Sequence, residues 1–73
     1  MPKLGNFSGR DIRRIMERKG FLCVRQKGSH MILQKREDGA TITVPVPDHA
    51  EVRIGTLQSI IRQSGLSRSK FMR

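Results

Sequence analysis

Fifteen Lys and Arg against six Asp and Glu give this 73-residue chain a formal net charge of +9, and only 36% of it is apolar, with neither Trp nor Tyr. A chain this short buries about 60% of its unfolded surface, so one domain over 1–73 with a single thin core is expected. Its longest apolar run is far below the roughly 18 residues of a membrane span, and the lone cysteine excludes an internal disulfide.

Residues 1–6 read as a loose lead-in, and Met1-Pro2-Lys3-Leu4 lacks the apolar segment of a signal peptide. Ser8-Gly9-Arg10-Asp11 has the form of a capping box with Ser8 as N-cap. Phe7 and Ile12 occupy the two positions that staple a helix start. Ile12, Ile15 and Met16 recur at i, i+3 and i+4, which predicts a helix over 9–19. Gly20 ends it as a left-handed cap, with Phe21 folding back on Met16. Arg10, Arg13, Arg14, Glu17 and Arg18 fall on the outer face. That face is by default solvated; the alternative is contact with an RNA backbone or an acidic protein.

Three strands are predicted next, over 21–25, 30–35 and 41–44. Asp38-Gly39 is a two-residue hairpin signal, which sets Glu37 opposite Ala40, Leu33 opposite Val44 and Lys35 opposite Ile42. Lys27-Gly28, taken as a second two-residue turn, pairs Val24 with Met31 and Leu22 with Leu33. Period-two alternation then gives a core face of Leu22, Val24, Met31, Leu33, Ile42 and Val44. The other face carries Cys23, Arg25, His30, Ile32, Gln34, Thr41 and Thr43, with His30 beside Arg25. Pro45 and Pro47 are expected to stop the third strand, and a loop over 47–53 follows. A second helix starts near Gly55-Thr56 with Leu57, Ile60 and Ile61 as its stripe. Gly65 closes it, Leu66 contacts Ile61, and Ser67 caps a last turn that tucks Phe71 against the core. The class is α+β: an antiparallel three-stranded meander in α-β-β-β-α order with a short C-terminal helical turn, in two layers.

The charge implies an anionic partner, which is RNA, DNA or an acidic protein. The stretch Gln26-Lys27-Gly28-Ser29-His30 gathers a histidine, a hydroxyl and cations at one turn, and histidine is the side chain that exchanges protons near neutral pH. Lys19-Gly20-Phe21, Val24-Arg25-Gln26-Lys27-Gly28-Ser29-His30 and Thr43-Val44-Pro45-Val46 are joined in order by Gly55-Thr56-Leu57, Ile60-Ile61-Arg62-Gln63 and Ser64-Gly65-Leu66-Ser67. In this order and spacing the chain, from about Ser8 to Phe71, resembles the HicA toxins, the YcfA-like family of bacterial toxin–antitoxin systems. The resemblance implies a double-stranded-RNA-binding-domain-like fold and a metal-free endoribonuclease that cuts mRNA in the cytoplasm. It also implies neutralisation by a HicB-type antitoxin, no cofactor and no membrane. Carried over, the catalytic histidine is His30, and Gly28 shapes the turn before it.

Such cleavage needs a base for the 2′-OH, an acid for the leaving 5′-oxygen, and cations for the phosphorane charge. His30 can serve as base or acid, and Arg25 or Lys27 can hold the scissile phosphate. The second acid/base group is unassigned; His49 is a candidate whose default reading is an ordinary loop histidine. Ser29 is expected to satisfy turn hydrogen bonds, and Cys23 to be a half-buried small hydrophobe. Cys and His do not cluster as metal ligands would. Two rivals stand beside the nuclease: a non-catalytic basic RNA-binding module of the same fold, and a basic protein whose charge serves only to grip an acidic partner.

Overall fold

A computed structural model of the chain describes residues 6–72; residues 1–5 of the sequence-predicted lead-in over 1–6 lie outside the described residues. The element order is α1 (Gly9–Glu17), β1 (Leu22–Lys27), β2 (His30–Glu37), β3 (Ala40–Pro47), α2 (Ile54–Ser64) and a final 3₁₀ turn (Arg68–Phe71). The three strands form one antiparallel sheet in the order β1-β2-β3, so the α-β-β-β-α reading holds.

The capping box at α1 is complete. Asp11 N–H donates to Ser8 Oγ at 3.0 Å, and Ser8 N–H donates to the Asp11 carboxylate at 3.1 Å. The helix ends two residues earlier than expected. Phe21 N–H then donates to the Met16 carbonyl at 3.1 Å, and Gly20 takes φ +97° to allow it. Gly65 closes α2 in the left-handed region, its N–H donating to the Ile61 carbonyl. Ser67 caps the 3₁₀ turn, and Phe71 is fully buried edge-on to Phe7, with ring centroids 6.3 Å apart.

The core lies on one face of the sheet, where Met31, Leu33, Val44 and Val46 meet Ile12, Met16, Phe21, Leu57 and Ile60. The β2–β3 register is the expected one, with Leu33 opposite Val44 and Lys35 opposite Ile42. Asp38 and Gly39 both take positive φ, as a type I′ turn requires. β3 runs through Pro45, opposite Ile32, instead of stopping there, and ends at Pro47, opposite His30. Proline is tolerated on an edge strand where its missing N–H would face away from the ladder, and Pro45 and Pro47, two residues apart, share one parity.

The β1–β2 hairpin departs from expectation. Its turn is Gly28-Ser29, with Gly28 at φ +61° and Lys27 opposite His30. Glycine at the first central position is the type II′ solution, which Lys27-Gly28 could not supply. A bulge between Cys23 and Arg25 then shifts the register, so Cys23 faces Leu33 and Leu22 faces Gln34. Leu22 and Val24, expected in the core, are 68% and 50% exposed. Cys23, expected on the polar face, packs half-buried against the core. One extra residue on a strand exchanges its two faces.

Candidate active site

His30 opens β2 and lies exposed on the uncovered face of the sheet. Lys27 faces it from β1 and Pro47 from β3. Directly opposed residues in antiparallel strands lie about 4.5–5.5 Å apart at Cα, so Lys27 is the cation nearest to it in register. Arg25 sits opposite Ile32, two residues along the same face. Gly28 carries the positive φ of the turn, with open space where a β-carbon would stand. At Ser29 it is the carbonyl that is engaged, accepting from Asp48 N–H at 2.6 Å.

That last bond belongs to a set that folds the chain after β3 back onto the turn. Gly9 N–H donates to the His49 carbonyl at 2.9 Å, and Val52 N–H donates to the Phe7 carbonyl at 2.9 Å. Gln26 Nε2 bridges the Gly28 carbonyl at 3.3 Å and the Asp48 carboxylate at 3.5 Å. Residues 48–53 are thereby held beside His30. The result is an open cleft of about 270 Å³ whose polar lining is His30, His49, Glu51, Arg53 and Thr56. Arg53 is the N-cap of α2 and makes no side-chain cap bond. The helix start, which carries a partial positive charge, therefore borders the cleft through Thr56.

The arginines of α1 lie elsewhere. Arg10, Arg13 and Arg14 line a groove of about 380 Å³ with Glu17, Gln26, Met31 and Asp48. Gln26 and Met31 oppose one another on the core side of the sheet, so this groove opens away from His30. Three of these arginines lean on carboxylates: Arg10 on Asp48 at 3.5 Å, Arg13 on Glu17 at 3.2 Å and Arg14 on Asp11 at 3.7 Å. Exposed pairs of this kind contribute about 0–1 kcal/mol each, so the guanidinium groups are easily drawn to another anion. Arg18 is exposed beyond the last turn of α1.

A family model described as the HicA toxin of bacterial toxin–antitoxin matches residues 9–66. The chain belongs to the HicA toxin family. No curated protein and no solved structure matches it. The matched span runs from the first residue of α1 to Leu66 and includes His30, Lys27 and the whole cleft. The role of the chain is accordingly that of a toxin in a toxin–antitoxin pair, with an antitoxin as partner.

Of the sequence-predicted residues, the structure brings Lys27, Gly28, Ser29 and His30 together at one turn. It leaves Arg25 one register step away and separates all four α1 arginines from the His30 cleft. Glu51, Arg53 and Thr56 were not anticipated there. The available signal was Pro47 opposite His30, since it makes 48–53 a short return path that must pass the turn.

Proposed function

We propose that this HicA-family toxin is a metal-independent endoribonuclease that cuts mRNA in the cytoplasm, with His30 as acid/base, Lys27 and Arg25 on the scissile phosphate, and residues 1–73 acting as one domain. The observation that carries the reading is a histidine exposed on an uncovered sheet face, in a cleft, with a lysine directly across the ladder. The net charge of +9 supports it, because long-range attraction brings a polyanion to the site without a dedicated binding domain. Arg10, Arg13, Arg14 and Arg18 act as a separate contact for RNA backbone. Among the described residues no three His, Cys, Asp or Glu side chains gather to hold a metal ion, and the chemistry proposed uses none.

The partner is a HicB-type antitoxin that covers the His30 face. Leu22, opposite Gln34, adds exposed apolar surface to that face, on the strand that carries Arg25 and Lys27, and the bulged Val24 beside it is exposed as well. A cover that matched it would be acidic with an apolar centre. Among the described residues, no helix is long and apolar enough to cross a membrane.

The test is cleavage of a long mRNA in EDTA by wild type and His30→Ala. Cleavage by the wild type alone, leaving 2′,3′-cyclic phosphate ends, is expected. Intact RNA in both reactions, with both proteins folded and bound to RNA, would make the chain a non-catalytic RNA-binding module.

A further inference from the structure

The proposed reaction moves two protons, and one imidazole supplies one of the transfers. We propose that His49 supplies the other, as a second catalytic residue in the same cleft; this rests on the nuclease reading above. Both histidines of the chain line that single cleft. Their proximity follows from backbone bonds. His30 is paired with Pro47, Asp48 N–H is bonded to the Ser29 carbonyl immediately before His30, and the His49 carbonyl is pinned by Gly9 N–H at the start of α1. His49 is therefore held two residues beyond the cross-strand partner of His30. Its side chain is exposed, which leaves the imidazole free to meet substrate.

The step balances without metal or co-reactant. One neutral imidazole takes the proton of the 2′-OH as the 2′-oxygen bonds to phosphorus. The protonated imidazole gives its proton to the 5′-oxygen as the P–O5′ bond breaks. The products are a 2′,3′-cyclic phosphate and a free 5′-hydroxyl, and solvent exchange resets the two rings. Arg53 lines the cleft at the start of α2, and Lys27 stands across the ladder from His30 on β1; both oppose the charge building on the phosphoryl oxygens. Glu51 is the carboxylate in the cleft lining; the Asp48 carboxylate is turned to Arg10 and Gln26. The charged groups beside the two rings are thus Arg53 and Glu51 in the cleft lining, with Lys27 next to His30 across the ladder.

The experiment is the pH–rate profile of RNA cleavage in EDTA by wild type, His49→Gln, His49→Gly and His30→Ala, each checked for folding by circular dichroism. The wild type is expected to give a bell. His49→Gln is expected to lose about 10²–10⁴-fold at the optimum and one limb of the bell, with RNA affinity unchanged. Free imidazole is expected to restore the rate of His49→Gly, which a merely structural role would not allow. A bell-shaped profile and a rate within twofold of wild type for His49→Gln would overturn the assignment and leave the nuclease reading standing. Loss of rate with both limbs retained and no imidazole rescue would overturn it as well. Failure of the wild type to cleave would overturn the nuclease reading and this inference with it.

Discussion

At Gly9 the start of α1 packs directly against the end of β3 and the cleft loop, and this gives a test of sign. In an ordinary helix, replacing glycine by alanine stabilises by up to about 1 kcal/mol. A β-carbon at Gly9 would overlap the Pro47 carbonyl oxygen and stand 2.9 Å from its carbon and 3.1 Å from the Asp48 α-carbon. These are backbone atoms, so no rotamer change relieves the clash, and the Gly9 N–H bond to the His49 carbonyl is strained along with it. Overpacking costs about 1–3 kcal/mol. Taking the upper part of that range against the helix gain leaves Gly9→Ala less stable by about 2 kcal/mol. For a domain of this size 1 kcal/mol moves Tm by about 4–8 °C, so the expected fall is about 8–16 °C. Gly55, in the first turn of α2, is the control. Nothing lies within 4 Å of its β position and its φ is not positive. Gly55→Ala should therefore stabilise by about 0.4–1 kcal/mol, or about 2–8 °C in Tm. Thermal melts of the two variants and wild type decide the matter. A Gly9→Ala melt at or above wild type would refute the close approach of α1 to the end of β3.

Other consequences concern packing, charge and the site. Phe71→Ala removes a fully buried ring and its edge contact with Phe7, at about 3–5 kcal/mol. Since a 73-residue domain has about 4–11 kcal/mol in all, urea unfolding should show a midpoint cut by about a quarter or more. Lys19 is held below its ordinary 10.5, first by repulsion from the Lys70 ammonium, then by their side-chain hydrogen bond and by desolvation. A lysine whose folded value is lowered binds fewer protons than the unfolded chain between the two values, so stability is lost below that window and recovers as pH rises towards 10.5. Lys70→Gln should thus raise Tm at pH 7 in low salt, and the gain should vanish near 1 M salt, where the Debye length is about 3 Å. Lys27→Met should slow RNA cleavage by more than Arg25→Met, because Lys27 alone is directly opposite His30; equal rates would put the scissile phosphate elsewhere.

Most of the fold is legible because its signals are local and mutually consistent. Ser8 and Asp11 mark a cap, Asp38-Gly39 fixes one hairpin to the residue, and Gly20 and Gly65 stop two helices. The second hairpin shows what such signals leave open. Lys27-Gly28 and Gly28-Ser29 are both glycine-containing turns, and choosing between them moves the register by two residues. A shift of two leaves every side chain on its face, which is why His30, Arg25 and Lys27 stand on the open side under either turn. The bulge at Val24 has no such immunity. It sets Cys23 against Leu33 where an unbulged strand running back from the Gly28-Ser29 turn would set Val24, a choice between two small apolar residues that alternation alone cannot rank.

The cleft was less legible than the turn for a related reason. His30 is set by a strand register, and a register can be counted along the chain. His49, Glu51 and Arg53 are set by where a loop returns, and that is decided by three backbone bonds to Ser29, Phe7 and Gly9. Each of those acceptors and donors is a main-chain group, so side-chain identity at 48–53 carries no trace of them. What the sequence does carry is constraint: Pro47 ends the ladder opposite His30, and α2 must begin by Ile54 to bring Leu57 to the core. Six residues spanning that gap have no route except past the turn. A site assembled in this way depends on α1 as much as on the sheet, since the Gly9 and Phe7 main chains hold both ends of the loop. Damage at the start of α1 should therefore reach RNA cleavage as well as stability.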